Sequence, residues 1–143
     1  MTAQKEFSKA VQSVKMSAMY REYKLWKSHL QLVHDELTFI EHLLNSYVFE
    51  PNTPNLFERL QDYQARIKKT KVNREVVCGK IIEHEKKIGG MIECADAYCD
   101  SFYKQKHETL KAETVSFMED FKNLKSEIFE YAGGILKKRK PSS

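Results

Sequence analysis

The sequence predicts an all-α fold: an elongated antiparallel bundle of about three long helices with coiled-coil-like packing. Three observations predict it. The prolines stand only at Pro51, Pro54 and Pro141, which leaves two long stretches free of the residue that most strongly breaks helices. Large apolar side chains recur at alternating spacings of three and four. The charged fraction of 31%, against 41% apolar, suits helices with narrow buried stripes and broad wet faces. A chain of 143 residues fits one domain, 1–143, with helices expected over roughly 16–49, 54–88 and 92–136. Residues 1–15 and 137–143 are expected to be loosely ordered.

The first helix carries the strongest pattern. Met16, Met19, Tyr23, Trp26, Leu30, Val33, Leu37, Ile40, Leu44 and Tyr47 follow one another at heptad spacing, so ten successive seam positions hold large apolar or aromatic groups. A repeat of 3.5 residues sustained this long specifies helices packed side by side at shallow angles. Glu50-Pro51-Asn52-Thr53-Pro54 then reads as a turn and a helix start, with Thr53 as N-cap and Pro54 in the first helical position.

The rhythm resumes in the second helix through Leu56, Leu60, Tyr63, Ile67, Thr70, Arg74, Val77, Ile81, His84 and Ile88, three of them polar side chains besides the tyrosine. Gly89-Gly90 could end that helix in a left-handed cap. The apolar spacing survives the glycines, however, through Ile92, Ala95, Cys99 and Phe102. The second turn is therefore expected at Gly89-Gly90, with a turn nearer Asp96–Asp100 or an unbroken helix as the alternatives. The third helix repeats the spacing through Leu110, Phe117, Phe121, Leu124, Ile128, Tyr131 and Ile135, with His107 and Thr114 at intervening seam positions.

Charge nearly cancels. The 24 basic and 20 acidic residues leave +4, too mild an excess to argue for nucleic acid by itself. Three irregularly spaced cysteines, Cys78, Cys94 and Cys99, read as reduced thiols. The polar first residues lack the apolar core of a secretory signal, and no apolar run approaches the length that spans a bilayer. A soluble, cytoplasmic protein is the expectation.

Signatures of chemistry are scarce. The five glycines are Gly79 and two Gly-Gly pairs, so no phosphate-cradling loop is present, and no serine sits in a nucleophile elbow. No glutamate has a histidine three residues later, the spacing that carboxylate-bridged di-iron bundles need. The His84-Glu85 and His107-Glu108 dipeptides are followed by Ile88 and Lys111 where a zinc-protease helix needs a second histidine. No cofactor, metal or catalytic residue is expected.

Two polar features remain. With turns near 51 and 89, facing residues on helices one and two have numbers summing to about 102, and on helices two and three to about 179. That register sets Thr70 and Arg74 beside His107 and Tyr103 as a polar layer that fixes register. A sharper reading makes it a site where Arg74 and His107 hold a small anion. His84 falls on the seam at a different height. The second feature is the terminal cluster Lys137, Lys138, Arg139 and Lys140, which could bind anions, whether nucleic acid or an anionic membrane, though a solubilising helix end is the simpler account. The function expected is a non-enzymatic scaffold or interaction module that binds a protein partner or a second copy of itself. A basic-tailed accessory protein is the first alternative and anion binding at the polar layer the second.

Overall fold

A computed structural model describes residues 2–46, 48–94 and 96–137, with side chains described from residue 9 onward. It is an all-α bundle. α1 spans Thr2–Leu44, α2 spans Leu56–Lys87, a 3-10 segment spans Ile88–Glu93, and α3 spans Ala97–Ile135. The chain runs up, down and up again, so α1 and α3 both lie antiparallel to α2.

The heptad seam is the core. On α1, Met19, Tyr23, Trp26, Leu30, Val33, Leu37, Ile40 and Leu44 are buried and Met16 packs partly buried against them; Tyr47 lies outside the described residues. They meet Tyr63, Ile67, Val77, Ile81 and Ile88 of the middle of the chain, and Leu110, Phe117, Phe121, Leu124 and Ile128 of α3. Burial of each such side chain contributes about 1.5–3 kcal/mol.

α1 begins at Thr2, well before the helix start expected at residue 16. That stretch has neither glycine nor proline to stop the helix. Its second half also has something to rest on: Gln12 is buried, and Lys15 donates to the Asp100 carboxylate at 3.1 Å.

The first turn falls where the prolines put it, but the cap differs. Asn55, in the left-handed conformation with φ 57°, precedes the first helical residue Leu56, while the Thr53 hydroxyl donates back to the Glu50 carbonyl at 2.7 Å. Thr53 thus closes the turn and does not cap the helix. Asparagine is among the few side chains that tolerate this backbone region. The end of α3 is tied to the same turn. Phe49 and Leu136 form an antiparallel bridge, flanked by Glu50 N–H to Ile135 carbonyl at 2.8 Å and Lys137 N–H to Val48 carbonyl at 2.6 Å.

The second turn combines both signals of the sequence. α2 gives way at Ile88 to the 3-10 segment that holds Gly89-Gly90, and the chain re-enters a helix after Asp96, whose carboxylate accepts from the Cys99 N–H at 2.8 Å. Neither glycine has a positive φ, so the expected left-handed cap is absent. Gly90 has a different job. A Cβ there would collide with the Tyr103 hydroxyl and lie 3.4 Å from the carbon that bears it. The turn also joins Cys94 to Cys99 in a disulfide, with Cα atoms 5.4 Å apart, and leaves Cys78 a free thiol. Three reduced thiols were expected; the turn folds two of them onto each other across five residues.

Two glycine substitutions test this geometry by urea unfolding. Gly79→Ala, in the interior of α2 with open space around the new methyl, should stabilise the fold by about 0.5–1 kcal/mol. Gly90→Ala should destabilise it by about 1–3 kcal/mol, and adding Tyr103→Phe should recover most of that loss.

Candidate functional site

One level of the bundle, near its second turn, gathers aromatic and imidazole groups from all three helices. Tyr23 and Trp26, three residues apart, share a face of α1. Seam positions on α2 and α3 bring His84 and His107 against them. All four side chains are buried. Trp26 stacks on His107 with ring centres 5.3 Å apart, and Tyr23 meets both histidines edge-on at 5.7 and 5.1 Å. The two imidazoles lie 6.5 Å apart.

One hydrogen bond and one longer polar contact line up across this layer, and His107 Nε2 has no hydrogen-bond partner of its own. The Tyr23 hydroxyl is 2.7 Å from His107 Nδ1, and His107 Nε2 is 3.4 Å from a Glu22 carboxylate oxygen. Burial first, then the negative charge of Glu22, raises the Tyr23 pKa far above its ordinary value. The phenol therefore stays protonated, and in the tautomer where it donates to Nδ1 the ring proton of His107 sits on Nε2, on the side of the carboxylate. Lys111 adds its ammonium to Glu22 at 3.7 Å.

Hydroxyl, imidazole and carboxylate in line are the parts of a proton relay. Here the hydroxyl end is closed: Tyr23 has 0% of its surface exposed, so no reacting group reaches it. A phenol whose pKa is driven upward is also a poor nucleophile and base. What the Tyr23–His107 bond does is satisfy the hydroxyl and Nδ1 and single out one register.

His84 is the less settled member. Its Nε2 is buried without a hydrogen-bond partner. Desolvation lowers its pKa most, and electrostatic repulsion from the neighbouring His107, Lys106 and Lys87 lowers it further. Its outer side helps line a groove of about 440 Å³ between α2 and α3.

The sequence-based polar layer is not assembled. Facing pairs on α2 and α3 have residue numbers summing to between 191 and 193, as in Arg66 with Glu127, Lys80 with Glu113 and His84 with His107, and not to 179. His107 accordingly sits beside His84, which the earlier register put at another height, and away from Arg74. Arg74 instead lies over α1, its Nε donating to the Leu30 carbonyl at 2.6 Å and its Nη1 to Glu75 at 2.9 Å. The Thr70 hydroxyl bonds back to the Arg66 carbonyl at 2.8 Å. Tyr103 stands at the second turn against Gly90. With Arg74 and His107 on different levels, the anion site formed by that pair is withdrawn.

Two basic side chains of α2, Arg66 and Lys71, are answered from other helices. Arg66 grips Glu127 with two hydrogen bonds of 3.0 and 2.8 Å, which hold the Glu127 carboxyl below its ordinary pKa, and Lys71 reaches Glu41 at 2.7 Å. Of the terminal cluster, Lys137 is exposed, while Lys138, Arg139 and Lys140 lie outside the described residues. Among the described residues no three His, Cys, Asp or Glu side chains are grouped to hold a metal ion, and no helix is long and apolar enough to cross a membrane. Comparison with protein-family models, curated proteins and solved structures finds no match.

The layer carries two predictions. A histidine whose pKa is depressed by folding binds its proton more readily when unfolded, so stability is complete above the ordinary value of 6.5 and falls as pH drops below it. Urea unfolding of the wild type should therefore show a falling stability just below pH 6.5, no steeper than about 1.4 kcal/mol per pH unit for this one proton, and His84→Phe should flatten that component. The ion-paired carboxylates whose pKa values are lowered lose their contribution only at more acidic pH. Tyr23→Phe, which leaves His107 Nδ1 buried without its donor, should lower stability by about 1–3 kcal/mol in the same assay at neutral pH.

Proposed function

We propose that this protein is a non-enzymatic helical interaction module whose α1 docks against another helix, in the first instance α1 of a second copy. One observation carries the proposal: α1 bears a second apolar stripe that the bundle leaves uncovered. Leu25, Leu32 and Phe39 are exposed by 54, 56 and 61% and stand seven residues apart, and Val14 extends the stripe toward the N-terminus at 68%. Each of the three directly precedes a buried seam residue, Trp26, Val33 or Ile40, so the stripe lies about 100° round the helix from the core. Repeated at a heptad interval, it offers a straight edge to a partner helix.

The far side of the same edge is apolar too. Leu32 and Val33 share a groove of about 270 Å³ with Met118 and Phe121 of α3. Val115 and Phe129 of α3 are exposed nearby on the sequence pattern of that helix. The ion pairs Lys125–Glu36 at 2.9 Å and Lys111–Glu22 at 3.7 Å cross between the two helices. They neutralise charge that would otherwise disfavour an apolar partner. Contiguous apolar surface of this kind marks interaction sites more often than isolated exposed residues do. The closed Tyr23–His107–Glu22 chain and the backbone-bonded Thr70 and Arg74 support the non-enzymatic half of the reading. A cytoplasmic setting belongs to the same proposal, with free Cys78 compatible with it and the Cys94–Cys99 bridge as the bond that a reducing compartment would open.

Light scattering coupled to size exclusion, at low and high salt, tests it. The expected result is a salt-resistant species of twice the chain's 16.8 kDa, converted to monomer by Leu32→Glu with the helical circular dichroism unchanged. A monomer at all salt concentrations would remove the second copy as the partner, and a dimer indifferent to Leu32→Glu would remove the stripe.

A further inference from the structure

The groove between α2 and α3 differs in kind from the α1 edge. Its walls are Lys80, His84 and Lys87 on one side and Phe102, Lys106 and Leu110 on the other, with Glu83 and Glu113 at its rims. At about 440 Å³ it falls within the size range of small-molecule sites.

Charge in the groove is not balanced. Its two carboxylates are both taken: Glu83 by Lys87 and Glu113 by Lys80, each at 2.8 Å. Lys106 is the third cation and joins no ion pair among the described residues; its ammonium sits 4.9 Å from the centre of the Phe102 ring. The floor beneath it is apolar and buried, made by Leu110 and by the flank of His84, whose own Nε2 has no partner. Phe102 stands half out of the surface beside it. A cation outside any ion pair, next to an apolar floor and a half-exposed aromatic ring, matches a ligand with one negative group and one flat apolar body.

We propose that this groove binds a small amphipathic monoanion, an aryl or short acyl carboxylate, with the carboxylate on Lys106 and the apolar body over Leu110 between His84 and Phe102. The partly enclosed walls strengthen the charge contact relative to open water. An inorganic anion would satisfy Lys106 and leave the apolar floor wet. A neutral aromatic would do the reverse. The proposal is independent of helix docking through α1, because it uses another face of the bundle.

The test is a titration of the full chain followed through its backbone amide NMR resonances, with phenylacetate as the probe and phenylacetamide and inorganic phosphate as comparisons. Phenylacetate should shift the amides of residues 80–87 and 102–113 saturably, with a Kd of about 1 mM, and both comparison compounds should bind at least about tenfold more weakly. Lys106→Gln, an exposed change that leaves the core intact, should reduce phenylacetate to the level of the amide, whereas Lys122→Gln on another face of α3 should not. Equal binding of acid and amide, equal binding of phosphate, indifference to Lys106→Gln, shifts centred elsewhere or no saturable shift would each overturn the proposal.

Discussion

The turn between α2 and α3 determines which residues of the bundle meet, and most of the rest of the structure depends on it. A heptad seam repeats every seven residues, so sliding one antiparallel helix along another by whole heptads again sets apolar side chain against apolar side chain. Facing numbers summing to 179 or to 193 therefore cover the seam about equally well. The choice falls to the groups that do not repeat. In the observed register Tyr23 reaches His107 at 2.7 Å, Arg66 grips Glu127 with both arms, and Lys80 meets Glu113. The buried contact weighs most among these, because an unsatisfied hydroxyl or imidazole in the core costs about 1–3 kcal/mol, while an exposed ion pair contributes about 1 kcal/mol or less.

The polar residues that interrupt the seam fall into two groups. The threonines and the arginine find a backbone carbonyl that the helices themselves supply, and the two histidines do not. Thr70 and Thr114 bond to the carbonyls of Arg66 and Leu110 one turn earlier on their own helices, at 2.8 Å in both cases. Arg74 crosses to the Leu30 carbonyl of α1 and keeps the end of its guanidinium at the surface with Glu75. The only interruptions that need side chains from other helices are His84 and His107. They share a level with Tyr23 and Trp26, and this is the level where the bundle is most specific and, through the unpartnered Nε2 atoms of both histidines, incompletely satisfied.

How much of this was legible in the sequence divides along the same line. The α1 seam was legible residue by residue, from Met19 to Leu44, because a large side chain every three or four positions has no other stable use in a proline-free stretch. The first turn was legible from Pro51 and Pro54, although the capping residue is Asn55, whose left-handed backbone carries no signal beyond the residue type itself. The second turn was legible as a set of alternatives. Gly89-Gly90 and Asp96 are both parts of it, joined by a 3-10 segment that periodicity does not foresee. Since the register followed from that turn, the pairing of His84 with His107 and the bridging of Cys94 with Cys99 were out of reach, and a layer around Arg74 and His107 took their place.

A three-helix bundle with seams this long also leaves a geometrical surplus. Two neighbours cover only part of a helix's circumference. On α1 they cover the side that holds Tyr23, Leu30 and Leu37, together with the flank that holds Trp26, Val33 and Ile40. The line through Leu25, Leu32 and Phe39 lies beyond both, and a chain selected only to fold as a monomer gains nothing from large apolar groups there. On the opposite side of α3, the groove at His84 is closed below by the seam and crossed by the Lys80–Glu113 ion pair, and Lys106 beside the Phe102 ring is its one lysine outside an ion pair among the described residues. Shape and charge therefore suit the first face to a straight apolar helix and the second to something small. The first face is built on α1 and α3 and the second on α2 and α3, so α3 is the element they share.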